Sequence, residues 1–438
     1  MGRIFSALAA IAAAAILAAP VPTGRFVRLP PGVTELHSEM TVEAGTELFG
    51  SSGTVLRAAR GFTGRAVVVV RGGGVRLRDF TIDGNREALE VRAGLPPSNV
   101  AFAEFTRGNG VLAADVSGVT MVNLRLRNIA GFAVLVSRSL NVEIDRVEVA
   151  DSGSRNPAGR NNATGGVLLE EGTVDFRVTR SELRNIRGNG IWTHSLYTSP
   201  RNARGTIARN WFENIGRDAI QAGHATGVRV EDNGGMRIGF PVEEVDIENL
   251  AVPVALDTAG NVERSAYIHN RFSDVNGKCI DLDGFHDGQV RGNICVNRLP
   301  PEQYRFGNYG IVMNNSNPGM QSRNIRIEEN EISGAMFGGI FVIGTGHRIA
   351  RNRLLHLNTA HCNEEAARFG CYYAPGEPDM LRAGIYLGRG AERPAPARGS
   401  IIENNEISGY KMDARCIALA PGIDPSWNTI RGNRCHAD

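Results

Sequence analysis

The chain has 438 residues, of which 48 are basic and 46 are acidic, so its formal net charge is +2. This balance excludes a global electrostatic field that recruits nucleic acid or an anionic membrane, and we predict neither as a partner. The six cysteines are an even number, which is typical of a protein that matures in an oxidising compartment.

The amino-terminal segment, residues 1–19, is predicted to be a secretory signal peptide. Arg3 provides the basic start, and an alanine-rich apolar run follows from Ile4 to Ala19. This run is shorter than the roughly 20 residues that a membrane-spanning helix needs, and no other stretch approaches that length. We therefore predict a secreted or periplasmic protein with no membrane partner after cleavage.

Residues 23–108 are interpreted as an amino-terminal cap and the first coils of a repeat. Short apolar segments separated by turn residues recur here, at Leu29 to Val33, Gly45 to Leu48, and Val75 to Asn85. Their alternating pattern is typical of short β-strands.

Residues 109–438 contain a two-part repeat, which we interpret as one continuous domain with the preceding coils. Each unit opens with a small residue, then Val or Ile, and a short alternating strand. The units open at Gly110, Ala133, Gly166, Gly190, Ala219, Cys279, Gly310, Gly339, Gly384 and Cys416. Most units have a second strand that ends on asparagine, at Asn210, Asn233, Asn270, Asn293, Asn330, Asn352, Asn405 and Asn433.

The repeat predicts a solenoid in which two strands form each rung. Its period is mostly about 23 to 33 residues, and strands this short bury their apolar face only by stacking on copies of themselves. The repeated asparagine is expected to adopt a left-handed backbone and to hydrogen-bond the asparagines above and below it.

One interval of the repeat is too long. Ile220 and Ile280 are separated by two periods, and two asparagines of the turn column fall between them. We predict a hidden rung that opens at Pro253-Val254-Ala255-Leu256-Asp257. The alternative is one long loop from Gly234 to Gly260.

The cap and the rungs together resemble the pectin-lyase-like β-helix superfamily over nearly all of the mature chain. This resemblance implies an all-β fold, a single-stranded right-handed parallel β-helix solenoid with about eleven or more rungs and an amino-terminal cap. The superfamily includes pectate lyases, polygalacturonases, mannuronan epimerases and non-enzymatic phage or adhesin modules, and no specific member is matched. The resemblance thus implies a polysaccharide or oligosaccharide partner but does not choose a reaction.

Outward-facing residues of the opening strands are expected to form two columns, because alternate side chains point to opposite faces. Residues one position after the inward Val or Ile include Trp192, Gln221, Ala255, Asp281 and Tyr386. Residues three positions after it include Glu170, His194, Asp257, Asp283 and Asn314. Carboxylates thus occupy the middle rungs of both columns.

These carboxylates suggest glycoside hydrolysis. Asp281 and Asp283 are expected about 7 Å apart on one face, with Asp257 about 5 Å from Asp283. Charges this close raise the pKa of one carboxyl, which provides an acid and a base, and the spacing favours an inverting hydrolase. We predict Asp281 and Asp283 as the acid and base, and Asp257 as a third carboxylate. The alternatives are a coincidence of surface charges and a structural calcium site.

His194 is the fourth predicted catalytic residue, since a histidine beside the carboxylate of Glu170 suits a general base; the alternative is an ordinary surface residue. Further contacts with the sugar are predicted from the same face and its turns. They are Glu170, Trp192, Gln221, His224, Lys278, His286, Asp287, Asn314 and Tyr386. Hydrolysis requires no cofactor, whereas Ca²⁺ is compatible with a lyase or a structural site.

Two other functions remain open. A uronate-polymer lyase or C5-epimerase requires a cation near the uronate carboxylate, for which Lys278 is available. A non-catalytic glycan-binding or structural β-helix is the alternative outside enzymes. Loops at Glu87 to Arg107, Ser152 to Thr164, Leu196 to Gly205 and Leu357 to Leu381 are long enough to wall a groove.

Proximity along the chain predicts three disulfides. The expected pairs are Cys279 with Cys295, Cys362 with Cys371, and Cys416 with Cys435. Six cysteines permit about 15 connectivities, of which this is one.

Overall fold

The computed structural model describes residues 24–247, 251–362, 371, 376–390 and 393–438. The predicted signal peptide and part of the predicted loop at Leu357 to Leu381 lie outside these residues. The described strands stack into three long parallel sheets, which confirms the predicted right-handed parallel β-helix. No helix among them is long and apolar enough to cross a membrane.

Sheet C, with 13 described strands, contains the strands that open each unit. They are Met40–Glu43, Ala66–Arg71, Asn109–Ala114, Val134–Ser137, Val167–Glu170, Ile191–His194, Ile220–Gly223, Val254–Ala259, Lys278–Asp283, Tyr309–Asn314, Ile340–Val342, Ile385–Leu387 and Ile417–Leu419. This count of stacked strands agrees with the predicted eleven or more rungs.

Sheet A follows sheet C within each coil and includes several short strand pairs, so it has 18 described strands. They are Arg25–Arg28, Thr46–Phe49, Val75–Arg78, Ser117–Val122, Leu140–Asp145, Val174–Thr179, Asn202–Ala203, Thr206–Ala208, Ala225–Thr226, Arg229–Glu231, Val262–Glu263, Ala266–Ile268, Phe285–His286, Gln289–Arg291, Arg326–Glu328, Arg348–Ala350, Ile401–Glu403 and Thr429–Arg431.

Sheet B completes the coil with 14 described strands. They are Gly32–Leu36, Thr54–Ala58, Thr81–Asp83, Arg125–Arg127, Glu148–Ser152, Glu182–Ile186, Trp211–Ile215, Gly234–Ile238, Arg271–Val275, Ile294–Val296, Glu331–Ser333, Arg353–Leu357, Glu406–Gly409 and Arg434–Ala437. The prediction of two strands per rung is therefore wrong. The asparagine marks the corner between sheets A and B rather than the end of the coil.

The asparagine column forms a continuous ladder inside the stack. From Asn210 to Asn433, the Nδ2 atom of each asparagine donates to Oδ1 of the next at 2.9–3.0 Å, as predicted. The left-handed residue, however, is the one before each asparagine, such as His269 (φ 53°) and Gly292 (φ 63°). The preceding residue makes the bend because the asparagine itself must point into the stack to reach the next rung.

The core lies inside the coils, where the Val and Ile residues of successive rungs stack on one another. Ile191, Ile220, Leu256, Ile280 and Ile311 are each at most 1% exposed. Removing such side chains from water is the main stabilising contribution of a stack of short strands. The three predicted disulfides are all present.

A second apolar cluster lies outside the coils, against the outer face of sheet C. Residues 84–108, here called the strap, leave sheet B and re-enter sheet C, and contain the short helices Arg86–Leu89 and Phe102–Phe105. Phe102 of the strap packs with Leu135 and Leu168 of sheet C. The other helices in the described residues are Met412–Arg415 and the 3₁₀ turns Val242–Glu244, Pro301–Gln303 and Pro425–Trp427.

Candidate active site on sheet C

The hidden rung exists, but its register differs from the prediction. The strand Val254–Ala259 pairs Asp257 with Gln221 on one side. On the other side Leu256 pairs with Ile280, which places Asp257 beside Asp281. The expected position of Asp257 beside Asp283 is therefore wrong. A shift of two residues preserves the alternation of inward and outward side chains, so the sequence pattern does not reveal it.

Asp281 forms a buried ion pair with Lys278, which begins the same strand. The Nζ atom of Lys278 contacts Oδ2 of Asp281. Burial disfavours the charge on Lys278, but the carboxylates of Asp281 and Asp257 outweigh it and raise the pKa of the amine. Asp281 is 7% exposed. Its Oδ1 atom has no hydrogen-bond partner among the described residues.

On the side away from Asp281, Asp257 accepts a hydrogen bond from a pair of linked side-chain amides. Gln221 donates from Nε2 to Oδ2 of Asp257 and accepts at Oε1 from Nδ2 of Asn189 at 3.0 Å. Burial, followed by the charges of Asp218 and Asp281, raises the pKa of Asp257 well above its ordinary value. A proton is thus held more tightly here than on an exposed aspartate.

Asp218 belongs to this group but was not predicted from the sequence. It lies in the turn before the strand Ile220–Gly223 and accepts a hydrogen bond from the N–H of Val254 at 2.9 Å. Burial raises its pKa to about 6, against the opposing effect of Arg217. The sequence signal for it was weak: like Lys278, it stands two residues before the inward isoleucine. We call Asp218, Asp257, Asp281, Asp283 and Lys278 the acidic cluster.

Asp283 is the most open to solvent of the four aspartates in the acidic cluster. It lies beside Asn314 in the register and accepts hydrogen bonds from the backbone N–H of Ser316 at 2.8 Å and from its hydroxyl at 2.5 Å. Burial raises the pKa of Asp283, the bonds from Ser316 lower it, and Asp281 raises it further. Asp281 and Asp283 leave the same face of one strand, which corresponds to a separation of about 7 Å.

His194 lies in the same column as Asp283 but three rungs away, about 14 Å at the usual strand spacing. Burial lowers its pKa to about 4. Its Nδ1 atom has no hydrogen-bond partner among the described residues and lies 4.0 Å from Glu171. His194 therefore does not contact the acidic cluster.

Among the described residues, Glu170, Glu171 and His194 form a group that could hold a metal ion. They offer ligand atoms within 4.8 Å of one another. Nitrogen with two carboxylates suits a transition metal better than calcium, which takes oxygen ligands. Glu170 already accepts hydrogen bonds from the N–H groups of Phe102 and Ala103 in the strap, at 2.9 and 2.8 Å.

Two aromatic side chains lie beside the acidic cluster: Tyr197, in the loop after the strand Ile191–His194, and His224, in the turn after the strand Ile220–Gly223. The ring of Tyr197 packs edge-on against His224 at 4.1 Å and is 62% exposed. Burial and the charge of Asp283 raise the pKa of Tyr197. Burial lowers the pKa of His224 to about 4. Tyr197 was not singled out by the sequence analysis, although it belongs to a loop predicted to wall the groove.

The two aromatic residues predicted to contact the sugar, near the two ends of the column, are covered by other side chains. Trp192 is 9% exposed and packs edge-on against Phe102 of the strap at 5.0 Å. Tyr386 is fully buried and stacks on Phe341 at 6.0 Å. In this conformation neither ring offers an open face, so the groove is shorter than the column.

His286 and Asp287 lie on the sheet A side, beyond the turn at Gly284. His286 bonds to Asp287 through Nδ1 at 2.8 Å and to Asn261 through Nε2 at 2.7 Å. The bond with His286, followed by bonds from Asn324 and Arg323, lowers the pKa of Asp287 to about 2. Both side chains are engaged with protein groups, and their role in sugar binding stays a prediction.

No protein-family profile and no curated protein sequence matches this chain. Among solved structures, the fold is similar to the Dettilon tailspike protein, at 13% identity and a TM-score of 0.54, over 92% of this chain and 63% of that one. It is also similar to a GH136 lacto-N-biosidase from Eubacterium ramulus, at 12% identity and a TM-score of 0.52, over 90% and 63% of the two chains.

A third similar structure is the A-module of the mannuronan C-5 epimerase AlgE4 from Azotobacter vinelandii, at 13% identity and a TM-score of 0.52, over 95% of this chain and 91% of that one. This chain spans about 63% of the tailspike and lacto-N-biosidase chains. At these identities the similarity shows the parallel β-helix fold alone.

Proposed function

We propose that this protein is a secreted enzyme that hydrolyses glycosidic bonds in a neutral polysaccharide or oligosaccharide, with Asp281 and Asp283 as the catalytic pair. The observation that carries the proposal is their arrangement: two carboxyl groups on one face, one paired with Lys278 and the other facing the groove. A separation of about 7 Å leaves room for a water molecule and matches the range of about 6.5–9.5 Å for inverting glycosidases.

The two carboxyl groups take different roles because their surroundings differ. Burial raises the pKa of Asp283, which favours its protonated form, and we assign it as the acid that donates a proton to the glycosidic oxygen. Asp281, beside the ammonium of Lys278, accepts a proton from the attacking water. The water oxygen bonds to the anomeric carbon as the glycosidic C–O bond breaks, and the leaving sugar keeps the proton from Asp283. Tyr197 and His224 flank the sugar chain.

The electrostatics of the site favour a neutral glycan over a uronate polymer. Elimination or C5-epimerisation requires a cation that is free to neutralise the uronate carboxylate. Among the described residues of the cluster, Lys278 is paired with Asp281, and Arg217 lies 3.6 Å from Asp218. Both cations are already engaged by carboxyl groups of the acidic cluster, so neither is free to neutralise a uronate that enters the groove.

A panel of neutral polysaccharides, with alginate and pectin as acidic members, tests the reaction. Wild type is expected to release reducing ends without an unsaturated-uronate chromophore. Asp283→Asn is expected to lower turnover more than about a hundredfold, because the proton donor is lost. Asp115→Asn is the matched control, since Asp115 is an exposed carboxylate paired with Arg138.

The other outcomes each overturn part of the proposal. Near-normal turnover in Asp283→Asn removes this residue from catalysis. Growth of the unsaturated-uronate chromophore on alginate or pectin replaces hydrolysis with elimination. Glycan binding without turnover in wild type indicates a binding module instead of an enzyme.

A further inference from the structure

Next to the acidic cluster, on the carboxyl-terminal side, lies a cavity to which the catalytic pair does not belong. Its volume is about 400 Å³, within the range of roughly 300–1,000 Å³ for small-molecule sites. Lys278 and Asn314 line its wall nearest the catalytic pair. Phe341 lines it two rungs beyond Asp281 in the same column, about 10 Å away.

The far walls of this cavity are mostly apolar. Phe337, Phe341, Met380 and Leu381 line it, and the two phenylalanines are each 7% exposed. Flat aromatic and aliphatic surfaces of this kind pack against the C–H faces of a sugar ring. An apolar lining with a few polar groups is also the usual composition of a small-molecule site.

Two polar side chains in the cavity wall are incompletely satisfied. Asn308 accepts a hydrogen bond from the N–H of Met336 at Oδ1, but its Nδ2 has no partner among the described residues. Glu377 accepts from the N–H groups of Arg389 and Gly390 at Oε1, at 2.6 and 2.9 Å, whereas its Oε2, next to the hydroxyl of Tyr386, has no hydrogen-bond partner among the described residues. Asn308 is 1% exposed and Glu377 is 5% exposed, so each missing hydrogen bond leaves a buried polar atom without compensation.

A sugar hydroxyl matches this pair of groups. It both donates and accepts hydrogen bonds, so neighbouring hydroxyls satisfy the free amide of Asn308 and the free carboxyl oxygen of Glu377. A buried polar group without a hydrogen-bond partner costs free energy, so a ligand that completes both bonds gains affinity. The carboxyl of Glu377 also disfavours an anionic sugar in the same space.

The groove is closed on both sides of this region. Glu170 is fully buried beneath the strap at one end, and Ile343 and Tyr386 are fully buried at the other. In the described part of the chain, the partly exposed members of the outward column between these two ends lie from His194 to Asn314, a distance of four strand steps or about 19 Å. A long chain therefore cannot run through the groove along sheet C.

We propose that the cavity beside Lys278, which we call the terminal-sugar pocket, binds one uncharged sugar residue at the end of a glycan. This extends the proposed hydrolase: the pocket selects a chain end, so the enzyme releases a short product from that end instead of cutting in the middle. Phe337 and Phe341 hold the ring of the terminal sugar, and Asn308 and Glu377 read its hydroxyl groups.

Saturation-transfer NMR with single sugars tests the pocket without requiring turnover. The probes are glucose, galactose, mannose, xylose, N-acetylglucosamine and glucuronate. We expect at least one neutral sugar to bind wild type, and Glu377→Gln to weaken that binding about tenfold, the effect of one hydrogen bond to a charged group. Leu381→Trp fills the cavity and is expected to abolish binding. Glu406→Gln, a change on sheet B, is the control and leaves binding unchanged.

Thermal unfolding checks that each variant is folded. If Leu381→Trp does not fold, the comparison of wild type with Glu377→Gln remains the test. The pocket proposal is overturned if glucuronate is the only sugar that binds. It is also overturned if wild type gives no more saturation-transfer signal than a folded Leu381→Trp or Glu377→Gln variant. If wild type cleaves no polysaccharide but Asp283→Asn still binds the sugar, the proposed hydrolase activity is overturned and the proposed pocket is retained. Cleavage that lowers polymer viscosity from the start overturns chain-end selection alone.

Discussion

The outer face of sheet C has one backbone geometry but two opposite environments. In its amino-terminal rungs the first outward column holds Leu135 and Leu168, which are fully buried beneath the strap. A few rungs later the same column holds Asp257 and Asp281, which lie against Lys278. Equivalent positions thus serve as core in one region and as a candidate site in the other.

This difference teaches that the direction of a side chain and its environment are set separately. Alternation along the strand points Leu168 and Asp281 to the same face. The strap turns the first region into a second core, in which each leucine contributes roughly 1.5–3 kcal/mol. In the middle rungs the four aspartates of the acidic cluster are buried or partly buried with the cations Lys278 and Arg217, an arrangement that costs stability and is typical of functional sites.

The largest effect is expected from Lys278→Met in the middle region. Removing the ammonium leaves the buried carboxylate of Asp281 without its countercharge, so we expect a loss of about 3–5 kcal/mol in the free energy of unfolding. Urea denaturation at neutral pH measures it. Lys411→Met replaces the chain's other lysine, which is exposed, and is expected to change stability by less than about 0.5 kcal/mol. Equal stability of wild type and Lys278→Met contradicts the assigned pairing.

A slightly smaller effect is expected in the covered region from Leu168→Ala. This side chain is fully buried in the cluster with Phe102, so its removal leaves a cavity and costs about 3 kcal/mol. Leu140→Ala is the matched control, because Leu140 is 41% exposed. A loss in Leu168→Ala no larger than in the control indicates that the strap is not docked in solution.

The smallest loss is expected where the two regions meet, from Glu170→Gln. Both carboxyl oxygens of Glu170 accept N–H groups of the strap, and an amide replaces one acceptor with a donor. We expect a loss of about 1–3 kcal/mol. Hydrogen exchange at Phe102 and Ala103 should accelerate selectively. Unchanged protection at these two amides contradicts the role of Glu170 as the anchor of the strap.

The same residue predicts a pH dependence. Burial raises the pKa of Glu170 from 4.5 to about 7, against the opposing effect of its hydrogen bonds. Between these values the folded protein holds a proton that the unfolded chain releases, so this contribution to stability is full below pH 4.5 and lost as the pH rises through about 7. The difference in stability between wild type and Glu170→Gln should follow this course, and a difference independent of pH contradicts it.

Much of the fold was predictable because each coil repeats local signals. The asparagines predicted the ladder from Asn210 to Asn433, and chain proximity predicted all three disulfides. The strands of sheet B were not predicted, because no repeated residue marks them as the asparagine marks the strands of sheet A, although Arg271–Val275 is longer than Gln289–Arg291. The left-handed bend was assigned to the wrong residue for a related reason, since the sequence shows the repeat but not which residue bends.

The candidate site was predictable only in part. Asp281 and Asp283 share a face because they are two residues apart, and this followed from the alternation alone. The place of Asp257 did not, because its register depends on how two distant coils stack. Asp218 lies in a turn, where alternation no longer applies, and the covering of Trp192 depends on a strap that ends 84 residues before it in sequence.

Local chain properties therefore decided which residues form strands, which alternate positions face outward, and which coils repeat. Each is a property of a few consecutive residues, governed by backbone geometry with a period of two. The stacking of the coils decided which residue lies beside Asp257. The packing of the strap and of the segments around the terminal-sugar pocket decided where the outer face of sheet C is covered and where it is open. These depend on contacts between segments far apart in the chain, where a shift of two residues or a covering loop leaves the local pattern unchanged.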